Sequence, residues 1–332
     1  MKNKILVCGA GGFIAGHLIK KLKKNNSLVC VDVKPLNYWF QVFDENSNHS
    51  LDLKDYEHCL KATEGVDYVY NFACNMGGMG FIENNKAECM LSVLLNTNLL
   101  RACLKNKVKK YFFSSSACVY NASKQSKTFV EALKESDSYP ADPEDGYGWE
   151  KLFSERMCRH FYEDYGLETR VVRYHNIYGP YGTYDGGREK APAAICRKVA
   201  KAKINNKKNI DIWGDGKQTR SFLFIDDCIE GTIKLFNSNC REPLNIGSDE
   251  QVSINELVDI AEKIANIKLK RNYQLDKPKG VRGRSSNNEK MIKNLKWNYT
   301  FKLEDGIKIT FEWIYNELKE SNSSTKKFQK SY

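Results

Sequence analysis

Three residues of the chain have the types and the spacing needed to take a proton from a hydroxyl group. Tyr147 and Lys151 are four positions apart, so on a helix they share one face. A tyrosine is a poor base at its ordinary pKa of about 10, but an adjacent ammonium group stabilises the phenolate and lowers that pKa. Ser116 can hydrogen-bond to the same substrate hydroxyl. This set predicts an enzyme that oxidises a sugar hydroxyl with a nicotinamide cofactor.

A cysteine, Cys118, follows Ser116 by two positions, where such an enzyme needs only an inert residue. Most of the eleven cysteines are expected to be small buried hydrophobic residues, and burial statistics alone would make Cys118 one of them. Its position beside Ser116 favours a chemical role instead. If the thiol reacts, the enzyme does more than transfer a hydride.

The segment Gly9-Ala-Gly-Gly-Phe-Ile-Ala15 follows a hydrophobic run and opens a helical pattern, as a dinucleotide-binding turn does. Gly9 permits the tight turn, and Gly12 lets the backbone approach a pyrophosphate. The pyrophosphate would lie at the positive end of the helix, beside Phe13 and Ile14. A glycine-rich turn that binds nothing is the alternative interpretation.

A carboxylate at the end of the next predicted strand disfavours that alternative. Asp32 lies twenty residues after Gly12, where it would accept hydrogen bonds from the ribose hydroxyls of adenosine. Its charge would repel a 2′-phosphate, so we expect NAD rather than NADP. Asp52, predicted to follow the second strand, would contact the adenine.

The elements that position these residues alternate along the first half of the chain. Short apolar runs bounded by turns alternate with longer helical patterns, which predicts an α/β fold with a Rossmann-type, doubly wound parallel sheet. The predicted strands are Ile5–Cys8, Leu28–Val31, Tyr68–Phe72, Tyr111–Ser114 and Thr169–Arg173. The predicted helices are Gly12–Leu22, Leu91–Leu104 and Trp149–Tyr165.

The pattern loosens in the second half of the chain, after about Tyr174. We expect residues 1–175 to form the NAD-binding domain, with return segments near 212–248 that include a strand at Pro243–Ile246. Residues 176–320 would mainly form a smaller, discontinuous α/β substrate-binding lobe. The polar tail from Ser321 is expected to be disordered.

Composition excludes several other classes of protein. The chain has 332 residues, 41% of them hydrophobic, and a formal net charge of +11. Its basic residues do not interleave with aromatic residues along one element, so we expect no nucleic-acid partner. No apolar run is long enough to span a bilayer. The cysteines have neither disulfide nor zinc-site spacing, so we predict no metal and a reducing, cytoplasmic location.

Six longer strings resemble the extended short-chain dehydrogenase/reductase family, and within it the members that epimerise C3 and C5 of a GDP-linked hexose. The similarity runs from about Lys4 to Leu318. The strings are Asn75-Met-Gly-Gly-Met-Gly-Phe81, Ser115-Ser-Ala-Cys-Val-Tyr120, His175-Asn-Ile-Tyr-Gly-Pro180, Gly186-Gly-Arg-Glu-Lys-Ala-Pro192, Trp213-Gly-Asp-Gly-Lys-Gln-Thr-Arg220 and Gly280-Val-Arg-Gly-Arg284.

This resemblance implies a catalytic cycle without net oxidation. Tyr147 and Lys151 match the pair that oxidises the sugar at C4 transiently. The keto group makes the C3 and C5 protons acidic, and Cys118 and Lys190 match the acid/base pair that exchanges them. Read alone, Lys190 would be an ordinary surface lysine in a charged loop.

The resemblance also implies a GDP-sugar substrate and a homodimer built through the helices at Leu91–Leu104 and Trp149–Tyr165. It assigns to the substrate site a set of residues drawn from several strings. They are Gly77, Ser116, Ala117, Cys118, Asn176, Glu189, Lys190, Ala191, Lys198, Gln218, Thr219, Arg220 and Arg284, the last as a phosphate-binding arginine.

Other activities on the same scaffold remain open. A 4,6-dehydratase needs acidic residues where this chain has Ala117 and Cys118, and a simple 4-epimerase does not need Cys118 and Lys190. A C4 dehydrogenase acting on a GDP-hexose or GDP-heptose is a further alternative. A non-catalytic dinucleotide sensor is disfavoured because the chain keeps Tyr147 and Lys151. Departures from the family pattern at Asn121 and Trp149 border the sugar pocket.

Overall fold

The computed structural model describes residues 2–321, in which fourteen strands and eleven α-helices are found. The strands are β1 (Lys4–Cys8), β2 (Ser27–Asp32), β3 (Ser47–Ser50), β4 (Tyr68–Asn71), β5 (Lys110–Ser116), β6 (Glu168–Tyr174), β7 (Ile177–Tyr178), β8 (Asn209–Trp213), β9 (Thr219–Ser221), β10 (Leu223–Phe224), β11 (Leu244–Ile246), β12 (Gln251–Ser253), β13 (Lys270–Gln274) and β14 (Gly283–Arg284). The helices are α1 (Phe13–Leu22), α2 (Tyr56–Thr63), α3 (Met79–Asn84), α4 (Lys86–Met90), α5 (Ser92–Lys105), α6 (Asp145–Tyr165), α7 (Ala191–Ile204), α8 (Ile225–Asn237), α9 (Ile254–Ala265), α10 (Glu289–Leu295) and α11 (Leu303–Ser321).

Seven of the strands form one parallel sheet in the order β11-β6-β5-β4-β1-β2-β3. The chain order reverses between β1 and β4, because β1 pairs with β2 on one side and with β4 on the other. This confirms the predicted doubly wound α/β fold. In such sheets ligands bind beyond the carboxyl ends of the strands, at the point of reversal.

The central strand β1 shows how the sheet is covered on both faces. Ile5 and Val7 belong to one buried hydrophobic cluster, whereas Leu6 and Cys8 belong to another. Successive side chains of a strand point to opposite faces, so the two clusters lie on the two sides of the sheet. A parallel strand buried on both faces is apolar throughout, which explains why its sequence was easy to recognise.

The edge strand β3 was not predicted, because its sequence Ser-Asn-His-Ser carries no hydrophobic signal. It joins the sheet through backbone pairing with β2 alone. Polar residues suit an edge strand, which has one side open to solvent. Asp52 therefore follows β3 rather than β2, a correction to the predicted order.

Helix α6 begins one turn earlier than predicted, at Asp145 rather than Trp149, and this added turn carries Tyr147. Two glycines, Gly146 and Gly148, hide the start of the helix because glycine is a weak helix former. The fold requires Gly148, since a Cβ there would collide with the backbone carbonyl of Cys118. The start of α6 is thus held against the segment that carries the thiol.

The second half of the chain forms three small sheets and one return to the main sheet. Strand β9 pairs with β12 and β14, β8 pairs with β13, and β7 pairs with β10. Strand β11 pairs with β6, as predicted for Pro243–Ile246. Ser321 is the last residue of α11, and the rest of the predicted disordered tail lies outside the described residues.

No helix among residues 2–321 is both long and apolar enough to cross a membrane. The same part of the chain contains no group of three or more histidine, cysteine or acidic side chains placed to hold a metal ion.

A buried ion pair ties α6 to the main sheet. The Arg173 guanidinium on β6 donates to both carboxylate oxygens of Glu155 on α6, from Nε at 2.9 Å and from Nη2 at 2.7 Å. Ser115 on β5 donates to the same carboxylate at 2.5 Å. Because these two charges are almost fully buried, removal of one leaves the other uncompensated in a medium of low dielectric constant.

We expect Glu155→Gln to lower the free energy of unfolding by about 3–5 kcal/mol, because the buried Arg173 charge loses its partner. Urea denaturation at matched NAD saturation measures this change. Glu163→Gln, on the exposed face of the same helix, removes the same charge from a solvent-exposed pair and should leave the midpoint nearly unchanged. Equal effects of the two substitutions would contradict the role given to Glu155.

Candidate active site

The turn after β1 has the geometry of a phosphate-binding turn. Gly9 has a φ of +74°, and its N–H donates to the carbonyl of Val31 at 2.8 Å. A Cβ on Gly9 would stand 2.8 Å from the backbone nitrogen of Ala73, so a side chain does not fit. Gly12 caps α1 without a side-chain hydrogen bond, and the first turn of α1 carries no acidic residue. The positive end of the helix is thus available to an anion.

Asp32 lies at the end of β2, beside this turn. Its carboxylate accepts hydrogen bonds from the backbone N–H groups of Gly11 and Lys34, each at 3.0 Å. Trp39, which the sequence did not indicate, covers the turn: a Cβ on Gly11 would stand 2.6 Å from its indole ring. Asp52 lies further along the same edge, with an exposed side chain near Lys54.

These residues fit NAD. The turn leaves no room for a Cβ at Gly9. The first turn of α1 begins with Phe13 and Ile14. Asp32 holds a fixed carboxylate at the end of the neighbouring strand. The turn at Gly9 fits a pyrophosphate, and the Asp32 carboxylate fits the two hydroxyls of a ribose.

Tyr147 and Lys151 share one face of α6, as predicted, and both are buried. The Lys151 Nζ lies 5.6 Å from the centre of the Tyr147 ring. Burial raises the pKa of the Tyr147 phenol well above its ordinary value, nearby Cys74 and Cys118 add to this, and a hydrogen bond with Ser116 opposes it.

Stabilisation of the Tyr147 phenolate by Lys151 together with the positive nicotinamide stays a prediction, because burial dominates among the protein groups that set this pKa. The Lys151 ammonium lies 3.5 Å from Oε2 of Glu150, and it also interacts with Cys74. Burial lowers the pKa of Lys151, but these two neighbours outweigh burial and the net shift is upward. Lys151 thus stays charged, with its charge directed at Glu150 and Cys74.

Neither Glu150 nor Cys74 was singled out from the sequence. Glu150 directly precedes Lys151. It was not predicted as a site residue because the helical periodicity does not show which polar side chains point into the protein. Burial raises its pKa, and Lys151 opposes that shift. The pair helps to keep a charged lysine inside the protein.

Cys118 lies in a short 3-10 turn directly after β5, and its backbone N–H donates to the Ser116 hydroxyl at 3.2 Å. The thiol is buried and lies 3.8 Å from Nη1 of Arg284. Burial raises the pKa of the thiol to about 11; Glu144 adds to this and Arg284 opposes it. The raised pKa favours the protonated thiol, which lies between a carboxylate and a guanidinium.

Lys190 is the residue before α7. Burial lowers the pKa of its ammonium, and Cys118 is the strongest of the groups that oppose this. The loop that carries Gly77 lies against the same segment, because the Gly78 N–H donates to the Arg188 carbonyl at 3.0 Å. The structure therefore brings Lys190 into the electrostatic neighbourhood of the thiol, although the two are 72 positions apart in the chain.

Two buried arginines lie side by side on paired strands, since Arg220 of β9 is in register with Arg284 of β14. Arg284 donates to Glu144 at 2.7 Å and to Gln125 at 2.6 Å. Arg220 donates only to backbone carbonyls among residues 2–321, and burial together with Arg284 lowers its pKa to about 10. This uncompensated positive charge favours an anionic ligand.

The other predicted substrate residues fall into two groups. Gln218 and Thr219 flank Arg220, and the Gln218 Oε1 is a buried acceptor without a partner in the described part of the chain. Asn176, in contrast, donates to the Ser221 carbonyl at 2.9 Å, and Glu189 is held by Arg197 at 2.9 Å. These two help to shape the protein around the site.

The remaining predicted positions lie next to residues already described or on α7. Ala117 is buried beside Cys118, Ala191 is the first residue of α7, and Lys198 of α7 lies over the Trp213 ring at 5.9 Å. Glu144 and Gln125, both of which contact Arg284, were missed because no local spacing links them to residue 284.

Comparison with known proteins identifies the family of the chain. The NAD dependent epimerase/dehydratase family matches residues 5–247. The GDP-mannose 3,5-epimerase of Arabidopsis thaliana is 44% identical over 322 residues, which cover 96% of this chain and 84% of that protein. GDP-mannose 3,5-epimerase 1 of Oryza sativa subsp. japonica is 44% identical over 97% of this chain and 84% of that protein.

Solved structures share the fold. UDP-glucose 4-epimerase from Thermotoga maritima aligns with a TM-score of 0.86 at 24% identity, covering 95% of this chain and 99% of that chain. UDP-glucuronic acid 4-epimerase from Bacillus cereus, solved with UDP-glucuronic acid and NAD, aligns with a TM-score of 0.80 at 26% identity, covering 95% of this chain and 99% of that chain.

The chain belongs to the NAD-dependent epimerase/dehydratase family, and NAD is its cofactor. Its similarity over nearly the whole length to curated GDP-mannose 3,5-epimerases confirms the resemblance that the six sequence strings predicted, and with it the enzyme class.

Gly9→Ala should weaken NAD binding by about tenfold or more, because a Cβ collides with the Ala73 backbone and is strained at positive φ. Gly166→Ala is the matched control, since Gly166 has a φ of +73° with nothing within 4 Å of the added carbon. Titration with NAD after removal of bound cofactor measures both. If Gly166→Ala weakened binding as much, strain rather than the close approach would be the cause.

Proposed function

We propose that the chain converts GDP-mannose into its C3 and C5 epimers through transient oxidation at C4. The observation that carries this proposal is a buried thiol, Cys118, in the electrostatic neighbourhood of a half-buried lysine, Lys190, and packed in one cluster with Tyr147. A simple 4-epimerase or dehydrogenase needs only Tyr147 and Lys151. The similarity to GDP-mannose 3,5-epimerases supports the same substrate.

Oxidation begins at the C4 hydroxyl of the sugar. Tyr147 takes the hydroxyl proton, Ser116 orients the oxygen, and the Lys151 charge stabilises the phenolate as it forms. The Gly9 turn and Asp32 would hold NAD, which would supply a reversible hydride acceptor for C4. The high pKa of the buried phenol means that Tyr147 remains protonated until a neighbouring positive charge favours its anion.

The C4 keto group acidifies the protons on C3 and C5, which become the targets of Cys118 and Lys190. One group removes a proton from a carbon and the other delivers a proton to the opposite face. Burial shifts the two groups in opposite senses, raising the thiol pKa and lowering the ammonium pKa. Both shifts favour the neutral forms, so Cys118 holds a proton while Lys190 releases one more readily.

The diphosphate would bind at the arginine pair. Arg220 is buried with no carboxylate partner among residues 2–321, and a diphosphate supplies the missing charge. The orphaned Gln218 Oε1 would accept a hydrogen bond from the bound ligand. Arg284 donates hydrogen bonds to Glu144 and Gln125. We therefore propose that it interacts with the Cys118 thiol as well as with the phosphates.

We expect deuterium to appear at C3 and C5 when the protein turns over GDP-mannose in heavy water, because both carbons exchange protons with Cys118 and Lys190. Cys118→Ser should keep bound NAD but reduce this exchange by about 10²–10⁴-fold, since a hydroxyl is a far weaker acid than a thiol. Mass spectrometry and NMR of the recovered sugar measure the label.

The matched control is Cys196→Ser. Cys196 is also buried, but it lies in the hydrophobic cluster on the face of the main sheet opposite α6. It tests whether any buried serine impairs the enzyme. Label at neither carbon with NAD-loaded wild-type protein would contradict the proposed reaction. Deuterium exchange with a GDP-heptose but not with GDP-mannose would support the proposed reaction and would show that the substrate sugar is a heptose.

We propose that the protein is a homodimer joined through α4, α5 and α6. Met90, Leu91 and Leu94 leave an exposed apolar stripe, and Trp149 and Phe153 leave another on α6. These helices pack against each other, so the stripes are neighbours. Exposed apolar patches of this kind mark sites of protein association.

Trp149→Glu is expected to shift the protein from dimer to monomer, because a charge would be buried in the apolar contact. Light scattering coupled to gel filtration measures the mass. Ile292→Glu, at an exposed apolar position on α10, is the control and should leave the mass unchanged. A dimeric Trp149→Glu protein would place the contact elsewhere.

We also propose a cytoplasmic location and two functional lobes. All eleven cysteines are unpaired, which is typical of a reducing compartment. Residues 1–175, with the return strand β11, would bind NAD, and residues 176–320 would mainly bind the GDP-sugar. The positions of Gly9 and Arg220 in these two parts support the division.

A further inference from the structure

Glu144 contacts the Cys118 backbone through its own backbone, and the Cys118 thiol through its side chain. Its N–H donates to the Cys118 carbonyl at 2.9 Å, and its carboxylate forms a hydrogen bond with the thiol. The same carboxylate accepts from Nη2 of Arg284 at 2.7 Å, while Nη1 of Arg284 lies 3.8 Å from the sulfur. One guanidinium therefore contacts both the carboxylate and the thiol.

Glu144 also faces solvent, which Cys118 does not. A cavity of about 590 Å³ opens to solvent and is lined by Glu144, Gln125 and Glu83 together with loop residues near Gly280. The thiol itself is buried and is not part of the cavity wall. Glu144 is thus the titratable group that touches the thiol on one side and water on the other.

The chemistry requires such a connection, and this step rests on the proposed function. Each inversion leaves Cys118 and Lys190 with their protonation states exchanged, because one has gained the proton that the other has lost. Before the next inversion in the same direction, the thiol must exchange a proton with solvent. A buried sulfur needs a neighbouring acid or base to do so.

We propose that Glu144 is a positioning residue that acts through Cys118, carrying a proton between the thiol and water in the cavity. The S–H bond breaks, an O–H bond forms on the carboxylate, and a thiolate remains beside Arg284. The summed charge of the three groups does not change, because a negative charge moves from the carboxylate to the sulfur while Arg284 contacts both. The carboxylic acid then gives its proton to water.

The charges around Glu144 favour release of a proton from its carboxyl group, to water or to a Cys118 thiolate, over uptake of a proton from the thiol. Burial raises the pKa of its carboxyl, but Arg284, the hydrogen bond with Cys118 and the nearby Arg220 outweigh burial and lower it. A proton taken from the thiol is therefore released quickly to water. Glu83, on the same cavity wall, has its own pKa raised by burial and by the carboxylates of Asp145 and Glu144.

Glu144→Gln keeps the size of the side chain and removes its ability to carry a proton. With GDP-mannose deuterated at C5 and incubated in ordinary water, wild-type protein should wash the label out of recovered substrate. The variant should return deuterium from the thiol to the same carbon, so recovered substrate keeps more label and steady turnover falls by about tenfold or more. Formation of reduced nicotinamide in the first turnover should not change.

Two further variants separate this role from a structural one. Glu83→Gln makes the same charge change on the same cavity wall without touching the thiol, and it should behave as wild type. Glu144→Asp keeps a carboxylate and should recover part of the washout. Equal washout and turnover in Glu144→Gln and wild type would overturn the proposal, as would equal losses in Glu83→Gln.

A readout without substrate keeps the test independent of the proposed function. Since the Glu144 carboxylate raises the pKa of Cys118, Glu144→Gln should let iodoacetamide alkylate that cysteine at lower pH than in wild type. Mass spectrometry of the Cys118 peptide over a pH series measures this. If wild type does not process GDP-mannose, the proposed function fails, whereas an unchanged alkylation profile counts against Glu144 itself.

Discussion

The close approach of the first turn of α6 to the carbonyl of Cys118 organises the whole site. The Glu144 N–H donates to that carbonyl, and Gly148 leaves the room that the contact needs. Because Tyr147 lies between these two residues, the contact sets its position relative to the thiol. A single backbone contact, between the start of α6 and the turn after β5, thereby helps to place Tyr147 near Cys118.

Burial is the second constraint, and it explains why the site is rich in paired charges. Lys151, Glu150 and Arg284 are nearly excluded from water and Glu144 is exposed only at the cavity wall, so each requires a partner of opposite charge. These charged partners neutralise one another, and they also influence the pKa values of the neighbouring thiol and phenol groups. Arg220 is the exception, because it forms no ion pair with a carboxylate in the described part of the chain, and this supports its proposed role in binding the anionic part of the substrate.

The residues that local spacing could reveal were predicted from the sequence. The turn at Gly9 and the carboxylate at Asp32 are separated by one strand, one helix and one turn, and Tyr147 and Lys151 by one helical turn. These short separations follow from the geometry of one strand or one helix, and they can therefore be recognised in the sequence. The polar strand β3 was missed for the converse reason, since an edge strand needs no hydrophobic pattern.

The sequence by itself determined the class of fold and the cofactor turn, and it supplied the candidates for the reacting side chains. Only the tertiary structure decided how those side chains are charged, because burial and distant partners set their pKa values. Glu144 and Arg284 are 140 residues apart and Gln125 and Arg284 are 159 apart, so no local pattern joins them. Their contact arises where β14 pairs with β9 and meets the start of α6, a meeting that long-range packing alone creates.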